Sequence, residues 1–515
     1  MEKNLYLGID ASTQSLTGMV IDINSGEVFS ASINFDERLP EYKTTSGVVN
    51  GDAGEVWSYP QMWVDALDML FDDLSKLVDL SKIKGIGGAG QQHASVWLNS
   101  TDVFAKMSVA DKGELSKVLK PYLSRIEAPV WLDTSTSVEC SEVESIVGTD
   151  LVVSKTGSLQ TERFTGAQIK KVFKNKPDVY NATKRIHLNS SFMCSVLCNA
   201  DCPIDWCDGS GMNLLNLSTF QWDDDMLSAT APELVEKLAL QKPMSVVGKI
   251  GAYFCKHYGF SPDVKVVVFT GDNPSSLIGI GASGGGNAVI SLGTSDTFFC
   301  ANKNYSPVAG AHVFGNPRGA YMNLACFRNG SLACEALKEE LGIDWKFFDN
   351  SFEGYVPIDD SHFIMPYYCD EITPKISSNA PTYIGDKSQL TPIDIVRLFI
   401  EGQMFNMRLQ AEAFKADIDK ILLTGGASKS KAMAQCAADV FNSTVYIAKS
   451  SANSSALGGA MSAACVVDGF SIDYLEEMFA SREVVAVANP QSVEFYNKKI
   501  SAFNVYRNKL IEKNK

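Results

Sequence analysis

Long hydrophobic runs are missing from this chain of 515 residues, and its strongly apolar segment 264–269 is itself interrupted by a lysine. A helix that crosses a bilayer needs about 20 mostly apolar residues, so we expect no membrane partner. Basic residues are also outnumbered, because 45 Lys and Arg stand against 60 Asp and Glu, for a net charge of −15. This charge argues against binding of nucleic acid, whose phosphates must be neutralised.

Cysteine is sparse, and the twelve cysteines are irregularly spaced, as is typical of free thiols in a reducing compartment. The N-terminus has neither the basic nor the apolar segment of a secretory leader, so we expect a cytoplasmic protein. Cys194, Cys198, Cys202 and Cys207 suggest zinc, but they contain no C-x-x-C pair and no histidine follows at finger spacing. Packing as small apolar side chains is therefore the favoured interpretation.

Strand-like and helix-like runs alternate along the whole chain, which predicts an α/β protein. Its length exceeds one ordinary domain, so we expect two domains and leave room for a third. Five glycines lie within 279–286 and indicate a hinge or linker. The predicted domains are therefore 1–282 and 283–515.

Two stretches show clear local patterns. After Pro60, apolar residues recur at spacings of three and four and predict a helix with one apolar stripe, formed by Trp63, Leu67, Leu70, Leu74 and Leu77. Thr391 with Pro392 predicts the start of a long helix that runs to about residue 416. A strand, the glycine loop 424–428, a second helix and another strand are expected to follow it.

Two short turns of small and hydroxyl residues each follow an apolar strand. The first contains Ser12, Thr13 and Gln14, and the second contains Gly293 and Thr294. Backbone N–H groups and hydroxyls in such turns can bind phosphates from two sides, although ordinary hairpins would look the same. The chain lacks a P-loop motif, and its two G-x-G-x-x-G strings do not lead from a strand into a helix, which argues against a Rossmann site.

Several polar residues come directly after predicted strands. Asp10 could hold Mg²⁺ or cap its own turn. Asp272 could take a proton from a hydroxyl group, with Asn273 beside it to hold a sugar, and it could also cap the helix that follows. His93 is either a structural histidine or a ligand of a polyol, and Arg163 by itself would be an exposed surface residue.

Six motifs occur in the order found in the FGGY carbohydrate kinases, which the chain resembles from about residue 5 to about residue 464. The motifs are 8–14, 89–93, 131–133, 271–273, 291–295 and 424–428. Within that family, the strings 35–41, 162–169 and 208–215 are most similar to those of the eukaryotic-type xylulose kinases.

The resemblance implies two ribonuclease H-like, actin-type ATPase domains that flank a central cleft, with ATP and Mg²⁺ as cofactors. It also implies phosphorylation of D-xylulose to D-xylulose 5-phosphate. In the implied active site, Asp272 is the general base and Asp10 lies near Mg²⁺. The residues that would bind the sugar are His93, Arg163, Asp272 and Asn273. The residues that would contact phosphates are Ser12, Thr13, Gln14, Gly293 and Thr294, and those that would lie beside the nucleoside are Gly425, Gly426, Lys429 and Trp345.

One departure from the family is visible, since many relatives carry an Arg shortly after the 131–133 motif, where this chain has Thr134 to Thr136. That segment is therefore expected only to line the sugar pocket. The sequence leaves other substrates open, such as ribulose or glycerol, and also a different class, an actin-like or chaperone-like ATPase. A catalytically dead sensor is disfavoured because Asp10 and Asp272 are both present. The oligomeric state, monomer or homodimer, also stays open.

Overall fold

The structure is a computed structural model that describes residues 4–354, 357, 361–448 and 453–513. It divides into two compact units. The first comprises Met1–Gly281, Phe314–Gly319 and Ala452–Ala480; the second comprises Ala282–Val313, Ala320–Ser451 and Ser481–Lys515. The first break falls beside the predicted boundary at 282/283. The contiguous domain predicted for 283–515 differs from this division, because segments 314–319 and 452–480 fold with the first unit.

The first unit is built on a mixed sheet. Its strands are β1 (Leu5–Ala11), β2 (Ser15–Asp22), β3 (Val28–Asn34), β4 (Ile83–Gly90), β5 (Val246–Lys249), β6 (Lys265–Val267) and β7 (Thr270–Gly271). The strand order is β5-β6-β4-β1-β2-β3, with β7 also paired to β4. Strands β1, β6 and β7 run parallel to β4, whereas β2 and β3 extend the sheet as an antiparallel meander.

The second unit is also built on a sheet that contains both parallel and antiparallel strands. Its strands include β8 (Asn287–Ser291), β9 (Asp296–Asn302), β10 (Ala320–Phe327), β11 (Lys420–Thr424), β12 (Thr444–Ala448) and β13 (Arg482–Ala486). They are ordered β10-β9-β8-β11-β12-β13. Strands β8, β11 and β12 are parallel. The interior side chains of β8 and β11 are buried, as is expected of strands covered on both faces, whereas in β12 only Val445 is buried.

The helices used below are α1 (Pro60–Leu74), α2 (Asn189–Cys198), α3 (Trp206–Gly209), α4 (Asp272–Gly279), α5 (Ser331–Leu341), α6 (Trp345–Asp349), α7 (Pro392–Ala413), α8 (Lys431–Phe441), α9 (Ser454–Asp468) and α10 (Pro490–Glu512). Further helices are Phe35–Arg38, Asp102–Met107, Leu115–Leu119, Ser137–Val147, Thr149–Thr156, Thr165–Asn175, Pro177–Ala182, Asp224–Thr230, Ala252–Tyr258 and Ile472–Phe479. None of the helices within the described residues combines the length and the apolar character that crossing a membrane requires.

Short strands complete the two units. They are Val49–Asn50, Val56–Ser58, Ser95–Leu98, Leu123–Arg125, Ala128–Pro129, Arg185–Leu188, Ile204–Asp205, Leu215–Asn216, Gln221–Trp222, Leu240–Gln241, His312–Asn316, Phe363–Met365 and Thr382–Ile384. Single 3₁₀ turns lie at Pro40–Tyr42, Leu80–Lys82, Lys120–Tyr122, Ser210–Met212, Leu234–Lys237 and Lys387–Gln389.

The two long helices predicted from local sequence patterns are present, but they end a few residues earlier than predicted. Helix α1 buries the predicted apolar stripe up to Leu74, but it ends there, so that Leu77 lies beyond the helix and is 48% exposed. The prediction that Leu77 belongs to the stripe of this helix was therefore wrong. Thr391 caps α7 in a reciprocal capping box with Asp394, as the spacing predicted. The glycine loop then leads from β11 into α8.

Segment 452–480 joins the first unit because α9 packs directly on β1 and β4. A side chain at Gly8 would place its Cβ 1.8 Å from the carbonyl oxygen of Ala456, and one at Gly87 would lie 2.3 Å from that of Gly459. Backbones can approach so closely only where both surfaces lack bulky side chains. Glycine and alanine in the 456–464 stretch therefore decide which unit this helix belongs to.

Candidate active site

In the first unit, three parallel strands end side by side and deliver polar residues to one edge of the sheet. Asp10 of β1 lies opposite Ala89 of β4, and Thr270 of β7 is also paired with Ala89. The segment after β4 and the start of α4 after β7 therefore emerge beside Asp10. Open α/β sheets bind their ligands at this carboxyl edge.

Asp272 is the first residue of α4 and lies half-buried at this edge. The N–H of Asn273 donates to its Oδ1 at 2.7 Å. Burial raises the pKa of the Asp272 carboxyl to about 6, although hydrogen bonds from backbone N–H groups, those of Asn273 and Gln92 among them, act in the opposite direction. A carboxylate with this pKa is ionised at neutral pH and is more basic than an ordinary aspartate, as a general base requires.

Asp10 is the second carboxylate of the edge and is only 8% exposed. Burial, and then the negative charge of Asp272, raise its pKa to about 7. Its Oδ1 has no hydrogen-bond partner among the described residues. An unsatisfied buried carboxylate oxygen suits a hard cation such as Mg²⁺, whose charge would reverse the cost of ionising the group. The residues present therefore fit the metal ion that the resemblance implies.

His93 is held rigidly beside this edge. Its backbone is in the left-handed region, at φ 70°, and its ring Nδ1–H donates to the carbonyl oxygen of Gly211 at 2.8 Å. The ring stacks on Phe164 at 4.6 Å, and the guanidinium of Arg163 lies 5.7 Å from the centre of the same phenyl ring. Two of the predicted sugar ligands thus share one aromatic support. Their role in binding a sugar stays a prediction.

Gln92 connects the segment that contains His93 to the start of α4. Its side-chain oxygen accepts a hydrogen bond from the Asn273 side chain at 2.8 Å, and its neighbour in sequence is His93. The structure therefore brings together four predicted residues, namely His93, Arg163, Asp272 and Asn273. Gln92 is 4% exposed and fixes the amide of Asn273, and its place within the 89–93 motif was the signal available in the sequence.

The first predicted phosphate turn is the tight hairpin between β1 and β2. The N–H and the hydroxyl of Ser12 both bond to the carbonyl oxygen of Ser15, at 3.0 and 2.9 Å, while Gln14 is exposed. The indole N–H of Trp131 donates to the Thr13 hydroxyl at 2.9 Å. The turn is therefore braced by Trp131 of the 131–133 motif.

Asp208 is a buried carboxylate near Asp272 that the sequence analysis quoted only for its family likeness. It is 1% exposed, and Ser190 donates a short hydrogen bond to one of its oxygens. A side chain at Gly271 would meet its other oxygen at 2.8 Å, directly before Asp272. Burial and the charges of Asp205 and Asp272 raise its pKa well above the usual range. A short strand followed by small residues at 208–211 was the signal available in the sequence.

In the second unit, the other phosphate turn and the glycine loop lie next to each other. Strand β8 pairs with β11 so that Ser291 lies opposite Thr424, and each strand leads directly into its loop. Gly425 has φ 86°, and any side chain there would come within 2.4 Å of the carbonyl oxygen of Leu292. Only glycine lets these two loops approach so closely.

A cavity of about 590 Å³ opens beside these loops, within the size range of small-molecule sites. Its lining contains four of the predicted residues of this unit and the exposed Trp345. The lining residues are Leu292, Gly293, Thr294, Ser331, Cys334, Trp345, Phe348, Asp349, Gly426, Ala427, Lys429, Ser430 and Met433. The mixture of apolar side chains and backbone N–H groups fits a nucleoside with its phosphates. The nucleotide roles of these residues stay predictions.

Asp296 closes the second turn and was missed by the sequence analysis. It is 1% exposed, and one of its oxygens accepts the N–H of Gly293 at 3.2 Å. Burial raises its pKa to about 8, so the carboxyl is largely protonated at neutral pH and adds little negative charge beside bound phosphates. Its position directly after the 291–295 motif was the signal that could have drawn attention to it.

The chain is similar to known proteins over most of its length. Two family models match the chain, the N-terminal domain of the FGGY family of carbohydrate kinases over residues 122–279 and its C-terminal domain over residues 288–466. The xylulose kinase of Rattus norvegicus is 38% identical over 86% of this chain and 84% of that protein. Xylulose kinase 2 of Arabidopsis thaliana is 36% identical over 90% of this chain and 87% of that protein.

Solved structures agree on the fold. A crystal structure described as a xyloylose kinase from Brucella ovis superposes with a TM-score of 0.79 at 19% identity, covering 99% of this chain and all of that one. The two α/β units thus have the fold of that solved structure, and the family models and curated relatives identify the class of protein as an ATP-dependent sugar kinase. The chain belongs to the FGGY family of carbohydrate kinases. The expected family and fold class are confirmed, and the actin-like or chaperone-like ATPase alternative falls away.

Proposed function

We propose that this kinase transfers the terminal phosphoryl group of ATP to D-xylulose and releases D-xylulose 5-phosphate and ADP. The proposed chemistry rests on Asp272, because its carboxyl group has a raised pKa and lies beside His93, Arg163 and Asn273. The identity of the sugar is supported by the curated relatives, which are xylulose kinases at 36–38% identity over most of their length.

Asp272 acts as the general base. Its carboxylate accepts the proton of the sugar's terminal hydroxyl, the oxygen forms a bond to the terminal phosphorus, and the bond from that phosphorus to ADP breaks. His93, Arg163 and Asn273 hold the hydroxyl and carbonyl groups of the sugar so that the reacting oxygen faces the base. Since phosphoryl transfer depends mostly on positioning and charge neutralisation, little further chemistry is needed from side chains.

The proposed nucleotide contacts are the following. Ser12, Thr13 and Gln14 with Gly293 and Thr294 contact its phosphates, and Trp345, Gly425, Gly426 and Lys429 contact the nucleoside. Asp10 is the residue that would hold Mg²⁺, which neutralises phosphate charge when bound. In this proposal residues 1–282 provide the sugar site and the base, and residues 283–515 provide the adenosine site. The enzyme works in the cytoplasm as a monomer or homodimer.

A coupled assay of ADP release tests the choice of sugar. With Mg-ATP, a panel of pentuloses, hexuloses and polyols is compared by kcat/KM, and D-xylulose is expected to lead ribulose and glycerol by about tenfold or more. Sites that hydrogen-bond each substrate hydroxyl discriminate strongly against a molecule that lacks or misplaces one. A higher kcat/KM for any other sugar would overturn the assignment of D-xylulose, but the protein would still be a sugar kinase.

The rate should depend on pH through Asp272. Because its pKa is raised to about 6, the base is protonated and inactive below that value, so kcat/KM for the sugar should rise as the pH increases from 5 to 7. The exposed Asp263, which pairs with Lys249, offers a control, since Asp263→Asn should leave the profile unchanged. A flat profile over this range would show that Asp272 does not act as the base.

The role of Trp345 can be tested through the nucleotide. Stacking of a base on an aromatic side chain is worth roughly 1–3 kcal/mol, so Trp345→Ala should raise the KM for ATP by about tenfold and leave that for the sugar unchanged. Phe347 is the matched control, because it is a 39% exposed aromatic on the same helix α6 but does not line the cavity. Equal effects of Phe347→Ala and Trp345→Ala would contradict the stacking role.

A further inference from the structure

Three cysteine thiols converge at the end of α2, apart from the site described above. Cys194 and Cys198 lie one turn apart on this helix, and Cys202 follows in the next loop. Their Sγ atoms all lie within 4.8 Å of one another. The sequence pattern around Cys194, Cys198, Cys202 and Cys207 favours simple packing.

The local backbone explains why these three meet. Helix α2 ends at Cys198, and Asn199 takes the left-handed conformation at φ 50°, which turns the chain back on itself. The N–H of Cys202 then donates to the Ser195 hydroxyl at 2.9 Å, which anchors Cys202 against the helix. Cys207 does not join the group, because it lies against Gly315, where an added Cβ would be 3.2 Å from its Sγ.

The three thiols are buried to different degrees. Cys194 is 0% exposed, Cys202 is 2% exposed and Cys198 is 9% exposed, so Cys198 is the side chain through which solvent reaches the group. Packing alone would need only three small apolar side chains and gives no reason for three sulfur atoms to face one another. The convergence of the sulfurs is therefore the observation that packing leaves unexplained.

The spacing of the sulfurs is close to that of a metal site. In tetrahedral coordination with Zn–S of about 2.3 Å, neighbouring sulfurs lie roughly 3.8 Å apart. Sulfurs up to 4.8 Å apart therefore need to close by about 1 Å at most. Small side-chain rotations can supply such a movement, since the hydrogen bond from the Cys194 thiol to the carbonyl oxygen of Val267 is long, at 3.8 Å, and therefore weak.

We propose that Cys194, Cys198 and Cys202 form a binding site for a thiophilic divalent ion, Zn²⁺ or its analogue Cd²⁺, with a solvent molecule as the fourth ligand. Thiolates select such ions over Mg²⁺, which takes oxygen ligands. The site therefore does not compete with the active site for Mg²⁺. Each thiol that enters the coordination shell releases its proton to solvent, and no oxidant or reductant is needed.

A bound ion should stabilise the first unit. It would tie the end of α2 to the loop that contains Cys202, and Cys194 already contacts Val267 of β6, the strand that leads towards Asp272. Binding that favours the folded state raises the apparent melting temperature by an amount that grows with the logarithm of 1 + L/Kd, where L is the concentration of free ion. The Tm is therefore a second readout that does not depend on catalysis.

Titration of the reduced, metal-free protein with Cd²⁺ tests the proposal through the ultraviolet charge-transfer absorption of cadmium thiolates. We expect one equivalent of Cd²⁺ to bind with a rise in Tm. Cys198→Ala should weaken binding by roughly 100-fold or more, because even outer-shell changes at metal sites cost 10–100-fold. Cys140 is the matched control, since it is 8% exposed on the helix Ser137–Val147, and Cys140→Ala should bind like the unaltered chain.

A second measurement needs no variant. Alkylation of the folded chain followed by mass spectrometry should show Zn²⁺ protecting Cys198 from modification while the exposed Cys369 reacts as before. Absence of a thiolate band with Cd²⁺, equal binding by the Cys198→Ala chain, or no protection by Zn²⁺ would each overturn the site. A loss of binding in Cys140→Ala as large as that in Cys198→Ala would do the same.

Discussion

Replacing Asp272 by Asn should lower kcat by about 10²–10⁴-fold, the usual contribution of a general base. The amide keeps the shape of the side chain and can still accept the N–H of Asn273, but it cannot take up a proton at neutral pH. Nucleotide binding should persist, because the predicted nucleoside contacts lie in the second unit. The measurement is kcat by the coupled assay, together with calorimetric titration of ADP.

The control for this experiment is Asp263→Asn, which removes the same charge from an exposed position. It should leave kcat unchanged within experimental error. Turnover near that of the unaltered enzyme in the Asp272→Asn chain would refute the assignment. A loss of ADP binding equal to the loss of kcat would instead mean that Asp272 supports the structure rather than the chemistry.

The same substitution should stabilise the protein at high pH. The folded-state pKa of Asp272, about 6, lies above its ordinary value of 3.8, so folding favours the protonated form. Stability from this group is present below pH 3.8 and is lost as the pH rises through 6. At pH 8 the Asn variant, which carries no charge, should therefore have a free energy of unfolding higher by on the order of 1–3 kcal/mol. At pH 3.5 this gain should vanish.

Gly8→Ala should destabilise the first unit by more than about 4 kcal/mol, the range of exceptional single substitutions. The added Cβ would lie 1.8 Å from the carbonyl oxygen of Ala456 and 2.4 Å from the amide nitrogen of Ala460. Both atoms belong to the backbone of α9, so they cannot rotate away as a side chain would. Chemical denaturation followed by circular dichroism measures the change in the free energy of unfolding.

Gly426 is the matched control, because an added Cβ there meets nothing within 4 Å. Gly426→Ala should change the free energy of unfolding by no more than about 0.5 kcal/mol. If Gly8→Ala were equally mild, the close packing of α9 on β1 would be refuted. Helix α9 also meets α4 at Gly279, where a Cβ would lie 1.9 Å from the carbonyl oxygen of Ser454, so a shift of α9 should also disturb Asp272.

Much of the candidate site could be predicted because its residues follow strands. Asp10, His93 and Asp272 each come directly after an apolar or glycine-rich run, and parallel strands place such positions at one edge of the sheet. Trp345 and Lys429 were weaker predictions, and both line the cavity of the second unit.

The importance of Asp208 and Asp296 could not be predicted from local sequence patterns. Each is an unremarkable aspartate in the sequence, and each becomes distinctive only through burial, which raises its pKa. Burial depends on what other segments cover the residue, and that information is not local. The thiols of Cys194 and Cys198 likewise met Cys202 only because the chain reverses at Asn199.

The sequence by itself determined the family and the α/β class and named candidate residues for phosphoryl transfer, because strand periodicity, glycine turns and ordered motifs are local features. Tertiary structure decided that 452–480 folds with the first unit, since only the observed contact of α9 with Gly8 and Gly87 reveals it. It also decided which carboxylates lose their water and become more basic. Desolvation and close packing are properties of three-dimensional neighbours, and the order of residues along the chain does not name those neighbours.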